Sequence, residues 1–196
     1  MTGPSKAPRA RRAALGFRAH SGWAAAILLS DDLKILVRKR VELCDPRIEG
    51  SKQPFHHAEA MSFAKAESFI ARCTLSTDAL ARDALASFDA KIAGVCILTA
   101  SGRKLPDLRG ILASHAAIHA AEGEFYRDAL ARACEAAKLK VNKLKERDAM
   151  TWTSSRLGLG EGDIRAKLAA LGKAVGPPWT ADEKLATLGA WLTLAA

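Results

Sequence analysis

The chain has 196 residues, 49% of them apolar, and a formal net charge of +9. This length and apolar content can bury a sizeable core, and they suit one domain better than two. The longest uncharged, largely apolar run covers residues 19–30 and is far shorter than the roughly 20 residues of a membrane span. The arginine-rich start also lacks the apolar stretch of a secretory signal, so we expect a soluble protein with no membrane partner.

The positive charge is concentrated at the start of the chain, where residues 1–18 contain five basic residues and no acid. Together with its glycine and prolines, this composition predicts a disordered basic tail over residues 1–13, followed by a single α/β domain over residues 14–196. The tail either strengthens binding to nucleic acid through counterion release or only keeps the chain in solution.

The first structured segment predicts a β-hairpin over residues 15–43. Residues 15–30 predict a strand that is interrupted by a bend or bulge, because Gly16 and Gly22 lie within its apolar run. Asp31 and Asp32 predict a turn, and the alternation over residues 33–43 predicts a second strand that is half exposed to water.

The middle of the chain predicts helices around a central strand. The alanine-rich residues 57–91 predict one or two helices, with a break near residues 74–77. Residues 93–100 predict a strand that is buried on both faces, a long helix then ends near Lys138, and the segment LKVNKLKE predicts a further strand. This strand–helix–strand order implies parallel pairing.

The last part of the chain, residues 160–196, predicts helices that are interrupted by the segment GPPW. Its final helix begins with a capping box formed by Thr180 and Glu183. The whole pattern predicts a mixed sheet of about five strands flanked by helices.

The segment SHAAIHAAEGEFYR, residues 114–127, carries the most unusual group of polar side chains. At 100° per residue, His115, His119, Glu122 and Tyr126 share one stripe of a helix, with apolar residues on both sides of that stripe. We therefore expect the stripe to face the core or a cleft. Three neighbours are expected to face solvent instead: Glu124, Arg127 and Asp128.

Three interpretations of this stripe remain open. The first is an internal network in which each polar group is hydrogen-bonded to its neighbours. The second is an acid–base or substrate-binding cluster in a cleft, with His115, His119 and Glu122 as the candidate catalytic residues. The third is a metal site, because His115 and His119 have the i, i+4 spacing that lets two imidazoles meet one ion, and Glu122 follows one turn later. The sequence identifies no particular metal or cofactor.

Other candidate ligand-binding residues lie outside this stripe. His20, beside a predicted bend, either faces the same cleft as Tyr126 or makes a local hydrogen bond, and His56 and His57 are either exposed or cap a helix. Two basic clusters offer contacts to phosphates, and the one over residues 138–147 is alternatively a strand edge with solvated lysines. Their candidate residues are Arg38, Arg40, Lys140 and Lys143.

The four cysteines are scattered through apolar contexts and form no C-x-x-C pair. This spacing argues against a zinc ribbon and against a redox motif. We expect all four to be reduced and structural, which predicts a cytoplasmic protein.

Two segments and the order of the elements resemble a known fold. The segment SGWAAAIL (21–28) looks like the end of the first strand of RuvC-type Holliday-junction resolvases, and GPPWTADEKLATLGAWLTLA (176–195) looks like their C-terminal helix. The chain thus resembles the ribonuclease H-like fold over about two thirds of its length. The third strand of that fold has no evident counterpart in residues 44–57. The resemblance implies association with nucleic acid.

The resemblance does not extend to the metal-binding carboxylates. Members of this family hold one or two divalent cations on acids, the first of which is an Asp early in strand one, but LGFRAHSG contains no acid. Asp182 or Glu183 could match an acid near the terminal helix, whereas Ser101 and Arg103 follow the central strand. Two-metal cleavage needs clustered carboxylates.

The sequence therefore predicts a nucleic-acid-associated domain without ordinary nuclease activity. One alternative is an enzyme that uses the His/Glu cluster on a small or phosphorylated substrate. Another is an interaction module that forms homo-oligomers through its tryptophan-bearing C-terminal helix.

Overall fold

The fold was analysed in a computed structural model, which describes residues 12–100 and 104–195. Most of the predicted basic tail, residues 1–11, lies outside the described residues. Ala13 is already the first residue of a strand.

The described residues form one five-stranded mixed sheet with the order β3-β2-β1-β4-β5. Its strands are β1 (Ala13–His20), β2 (Trp23–Ser30), β3 (Ile35–Glu42), β4 (Ile92–Thr99) and β5 (Val141–Lys145). The first three strands are antiparallel neighbours, whereas β4 runs parallel to β1 and β5 runs parallel to β4. The predicted mixed sheet and the parallel crossover are confirmed, and β4 is buried as predicted. The central strand of the sheet is β1, however, and not β4.

The predicted bend at Gly22 is a tight turn between two separate strands. His20 pairs with Trp23 across this turn, and Gly22 has a φ of 85°, a conformation that L side chains rarely adopt. The sequence pattern concealed the turn because β1 and β2 are buried on both faces, so their apolar residues form a nearly continuous run. The prediction of one interrupted strand over residues 15–30 is therefore wrong. Because the turn divides this segment into β1 and β2, β3 is the third strand, which was not evident in residues 44–57.

Helices cover both faces of the sheet. They are α1 (Pro54–Ala58), α2 (Phe63–Ala86), α3 (Leu108–Leu112), α4 (His115–Ala136), α5 (Ala149–Leu157), α6 (Glu161–Val175) and α7 (Ala181–Leu194), with a 3-10 turn at Glu146–Asp148. Helix α2 is continuous through residues 74–77, where a break was predicted. The hydroxyl of Thr74 donates a hydrogen bond to the carbonyl oxygen of Ile70, and the side chain of Thr77 is buried, so both residues fit within the helix. The capping box of Thr180 and Glu183 is confirmed.

Two hydrophobic cores lie on opposite faces of the sheet. One joins the sheet to α2 and α4, and the other joins it to α5, α6 and α7. Helix α7 lies so close to β1 that a Cβ at Gly16 would be 1.8 Å from the carbonyl oxygen of Ala186. Trp191 of α7 is buried. The predicted homo-oligomer through α7 therefore has no support, because the helix packs its apolar residues into its own domain.

All four cysteines carry free thiols, and three of them are buried: Cys73, Cys96 and Cys134. Burial raises the pKa of the Cys96 thiol to about 12 and that of Cys73 to about 11. Among the described helices, none combines the length and the apolar character that crossing a membrane requires.

Candidate functional site

Two groups of polar side chains in the described part of the chain are candidate sites, and the first lies at the edge of the sheet where the parallel strands end. Arg18 and His20 lie at the end of β1, Glu146 follows β5, and Asp182 lies in the first turn of α7. Because β1, β4 and β5 run in the same direction, their carboxyl ends share one edge of the sheet. We call these four residues the carboxyl-edge cluster.

The guanidinium of Arg18 joins both carboxylates of this cluster. Its Nη2 donates to Glu146 Oε2 at 2.8 Å, and its Nη1 donates to Asp182 Oδ1. All three side chains are largely buried, with 21–23% of their surface exposed. Burial alone would lower the pKa of Arg18, but the hydrogen bonds and charges of Glu146 and Asp182 raise it above its ordinary value. Arg18 is therefore a permanent cation between two acids.

A second arginine reaches the same carboxylate. Arg127 of α4 lies with Nη2 at 3.9 Å from Glu146 Oε1, while its Nη1 donates to the carbonyl oxygen of Gly123 and to Glu124 Oε1. The prediction that Arg127 faces solvent is wrong, since only 7% of the residue is exposed. Helical spacing gives the direction of a Cβ, but a long side chain can carry its charged end to a neighbouring element.

These contacts decide whether the edge fits the divalent cations that the resemblance implies. Glu146 and Asp182 are carboxylates of the required type, but both already bind a guanidinium. A cation placed between them would also face the fixed charge of Arg18, on the strand where the resemblance places an acid. The described residues of this edge therefore do not fit a two-metal site, and residues 101–103 lie outside the described part of the chain.

His20 makes local contacts within this edge. Its Nε2 lies 3.2 Å from Asp182 Oδ1 and 3.1 Å from Arg18 Nη1. The imidazole also stacks on Trp23, with 4.5 Å between ring centroids, and Arg40 lies 4.0 Å above that indole. None of the contacts among the described residues joins His20 to His115 or His119. The contacts with Arg18 and Asp182 agree with the alternative in which His20 makes a local hydrogen bond.

The second candidate site is a group of three imidazoles, which we call the histidine cluster: His56 of α1 with His115 and His119 of α4. One nitrogen from each ring can be chosen so that all three lie within 4.8 Å of one another. His115 Nε2 and His119 Nε2 are 3.0 Å apart. The rings of His56 and His119 have centroids 4.7 Å apart.

Glu122 contacts the backbone and the imidazole of His56 in this cluster. Its Oε1 accepts from the backbone N–H groups of Phe55, at 2.8 Å, and His56, at 3.0 Å, and it lies 3.2 Å from His56 Nδ1. Burial raises the pKa of Glu122, although the hydrogen bonds from His56 and Phe55 partly oppose that rise. The other oxygen, Oε2, is buried and has no hydrogen-bond partner among the described residues. Glu122 thus fixes the start of α1 against α4.

The prediction that the stripe of α4 faces inward is right for two of its four residues and wrong for the other two. Glu122 and Tyr126 are buried, but His119 is exposed and the side chain of His115 is 66% exposed. The helical projection treated residues 111–130 as one helix, whereas α3 ends at Leu112 and α4 begins at His115. Ile111 and Leu112 therefore do not flank the first turn of α4.

The predicted site residues also have different partners from those expected. Glu122 contacts His56, while His115 and His119 contact each other, so the predicted catalytic trio is not assembled as such. Tyr126 is 1% exposed and donates its hydroxyl to the carbonyl oxygen of Ser51 at 2.6 Å, which does not fit the predicted ligand-binding role.

Sequence reasoning gave His56 and Arg18 no part in either site. His56 stands far from the stripe in the sequence, and only the packing of α1 on α4 brings it there. Arg18 carried a usable signal, because it is a charged residue between Phe17 and Ala19, both of which are buried in the same strand.

The four basic candidates do not form one surface. Arg38 donates to the carbonyl oxygens of Gly176, at 2.7 Å, and Pro178, at 2.6 Å, and so ties β3 to the segment before α7. Arg40 lies on the same strand, whereas Lys140 and Lys143 lie at β5, on the opposite edge of the sheet. Lys143 Nζ is 3.5 Å from Asp128 Oδ1.

An exposed row of lysines follows the β5 edge. The β5 lysine row consists of Lys138, Lys140, Lys143 and Lys145, all of which are exposed. Lys143 and Lys145 are two residues apart in the same strand, so they project from the same face about 6.6 Å apart. Within the row, Lys143 and Lys145 are therefore two positive charges at a fixed spacing.

Comparison with known proteins places the fold. No protein-family model and no curated protein sequence matches this chain. A solved structure of Thermus thermophilus RuvC in complex with a Holliday junction substrate matches with a TM-score of 0.52 and 11% identity, over 94% of this chain and 92% of that one. This chain has the ribonuclease H-like fold of RuvC. A second T. thermophilus RuvC structure has a TM-score of 0.49 and 10% identity, covering 92% of this chain and 91% of that one. The predicted resemblance in fold is confirmed.

Proposed function

We propose that this chain is a nucleic-acid-associated domain that binds nucleic acid without cleaving it by two-metal chemistry. The observation that carries the proposal is the position of Arg18 between Glu146 and Asp182. Association with nucleic acid is supported by two further observations. The fold is that of a RuvC whose structure contains a Holliday junction, and the β5 lysine row is exposed.

The absence of two-metal cleavage follows from the charge balance of the carboxyl-edge cluster. Two-metal cleavage requires carboxylates that are free to hold cations beside the scissile phosphate. Here Glu146 and Asp182 already bind the guanidinium of Arg18. Displacing that guanidinium would leave a largely buried positive charge without partners, which is strongly unfavourable.

Binding to the β5 lysine row follows from the chemistry of the phosphate backbone. Each lysine that neutralises a phosphate releases a condensed counterion, so affinity falls steeply as salt concentration rises. Neighbouring lysines that project in one direction can contact successive phosphates without reading the base sequence. We therefore expect binding of duplex or branched DNA with little sequence preference.

The binding experiment compares two triple variants with the wild-type chain by fluorescence anisotropy, using a labelled duplex and a labelled four-way junction over a range of salt. The first variant replaces Lys140, Lys143 and Lys145 with Ala. The control replaces three exposed lysines on α2 and α6 with Ala: Lys65, Lys167 and Lys173. Both variants keep residues 1–13, so any contribution of the basic tail cancels.

We expect the first variant to bind more weakly. The slope of log affinity against log salt should fall by about 0.9 for each duplex phosphate that the protein no longer neutralises. The control should lose less affinity than the first variant. No wild-type binding at low salt, or equal losses in both variants, would overturn the proposed interface.

Cleavage is tested on the same junction with Mg²⁺ or Mn²⁺. We expect no product from the wild-type chain. Metal-dependent cleavage that Asp182→Asn abolishes would overturn the claim that the edge cannot hold catalytic metals.

A cytoplasmic location is part of the same proposal. It is supported by the four free thiols, because disulfides rarely persist in a reducing compartment.

A further inference from the structure

We propose that the histidine cluster is a binding site for one divalent transition-metal ion, of which Zn²⁺ is the best fit, with His56, His115 and His119 as its ligands. The site lies on α1 and α4 and is separate from the carboxyl-edge cluster. It does not depend on the proposed binding of nucleic acid.

The spacing of the rings suits a shared ion. Zn–N bonds of about 2.0–2.1 Å in tetrahedral geometry place two ligand nitrogens roughly 3.3 Å apart. His115 Nε2 and His119 Nε2 are 3.0 Å apart, and a nitrogen of His56 completes a set within 4.8 Å. A small movement of the imidazoles would therefore bring all three nitrogens onto one ion.

A carboxylate stands behind each of two rings, and the closer of the two carboxylates determines which nitrogen of His56 is free. His56 Nδ1 faces Glu122 Oε1 at 3.2 Å, and His115 Nδ1 is 4.0 Å from Glu59 Oε1. An imidazole that donates its Nδ1 proton to a carboxylate keeps a lone pair on Nε2 for the metal. Glu122 is thus a positioning residue for His56 and not itself a ligand.

The protein holds the ligands in place without the metal. Glu122 binds the backbone amides of Phe55 and His56, and the buried Phe55 packs edge to face against Phe125 with 5.7 Å between ring centroids. His115 and His119 lie on adjacent turns of α4. Because the two helices are already fixed against each other, little order has to be created when an ion binds.

The donor set also indicates the class of metal. Three neutral imidazoles favour Zn²⁺ and its transition-metal neighbours over Mg²⁺ and Ca²⁺, which prefer oxygen ligands. Since His115 and His119 are exposed, a fourth coordination position is open to water.

The test uses the full chain without a histidine tag, stripped of metal. Zinc affinity is measured by competition with a chromogenic chelator, stoichiometry by native mass spectrometry, and ligand geometry by the visible absorption of bound Co²⁺. The variants His115→Ala and His119→Ala remove exposed ligands and should leave the fold intact. The matched control is His57→Ala, since His57 is an exposed neighbour of His56 whose ring faces Phe69 instead of the cluster.

We expect one Zn²⁺ per wild-type chain. Either ligand variant should lose more affinity than the roughly 10- to 100-fold cost of losing an outer-shell partner, and His57→Ala should leave the affinity unchanged. Glu122→Gln keeps an oxygen for the two backbone amides, so the metal-free chain should still fold, although the new side-chain amide nitrogen takes the buried position of Oε2 and should lower the melting temperature somewhat. It should nevertheless weaken zinc binding about 10- to 100-fold and alter the Co²⁺ spectrum.

Three results would overturn the proposal. They are less than one ion per chain at saturating zinc, wild-type affinity in His115→Ala or His119→Ala, and an equal loss of affinity in His57→Ala. Failure here would leave the nucleic-acid proposal untouched, because the lysine variants do not change the histidine cluster.

Discussion

Arg18 and Glu146 lie 128 positions apart in the sequence and are joined by a 2.8 Å hydrogen bond between a guanidinium and a carboxylate. This contact ties the end of β1 to the segment after β5, across the intervening strand β4. With Asp182 on the other side of the guanidinium, three distant parts of the chain meet at one charged group.

Removing the charge of Arg18 is expected to destabilise the fold. Arg18→Met keeps most of the side-chain volume but leaves Glu146 and Asp182 largely buried beside each other. Losing one partner of a fully buried pair costs about 3–5 kcal/mol, so for these partly exposed groups we expect about 2 kcal/mol. Urea unfolding measures the difference. The control is Arg165→Met, which breaks an exposed i, i+4 pair with Glu161 and should cost about 0.5 kcal/mol or less. Equal costs would contradict a special role for Arg18.

Reversing the charge of Arg18 is expected to create a cation site. Arg18→Asp would place a third carboxylate beside Glu146 and Asp182, and hard divalent cations bind such groups of oxygens. Mg²⁺, which prefers oxygen ligands to the imidazoles of the histidine cluster, should therefore raise the melting temperature of R18D but not that of the wild type, because a ligand stabilises the state that binds it. The double variant R18D/D182N should respond less. Equal responses of wild type and R18D to Mg²⁺ would count against the charge argument.

The hydroxyl of Tyr126 is expected to stabilise the segment before α1. Tyr126→Phe removes the donor to the carbonyl oxygen of Ser51 and leaves that buried acceptor without its partner. Such a loss costs about 1–3 kcal/mol in the free energy of unfolding. Hydrogen exchange should also show faster exchange of the amides in residues 45–53. Unchanged stability and exchange would show that water replaces the hydroxyl without cost.

Alkylation should distinguish Cys44 from the other three cysteines. The thiolate is the reactive form, and burial raises the pKa of Cys96 and Cys134 to about 12, so at pH 8 their thiols stay protonated as well as inaccessible. Burial and the charge of Glu42 also raise the pKa of the half-buried Cys44. Iodoacetamide should therefore label Cys44 first, more slowly than it labels a free cysteine and faster as pH rises. Peptide mass spectrometry measures the order, and equally fast labelling of Cys73 would contradict it.

The sequence was sufficient where a signal is local. The capping box of Thr180 and Glu183 involves residues three apart, and the apolar run of β4 is bounded by polar residues, so both were predicted and both are confirmed. The turn at Gly22 was mistaken for a bend because the two strands beside it are buried on both faces. A strand that is buried on both faces loses the alternation that would mark its ends.

The candidate sites were less predictable because they depend on tertiary contacts. The stripe of α4 identified Glu122 and Tyr126 as inward residues, but the gap between α3 and α4 left His115 and His119 outside the core. His56 joined them only through the packing of a five-residue helix. The sequence showed that strand one contains no acid. It could not show the ion pairs of Arg18, because Glu146 and Asp182 are distant from Arg18 in the sequence.

The guanidinium at the carboxyl edge is covalently part of the chain, unlike a metal ion that is exchanged with solution. A chelator such as EDTA cannot remove this positive charge, and neither can a fall in the cellular concentration of magnesium. Glu146 and Asp182 therefore keep the same counter-charge whatever the supply of divalent ions.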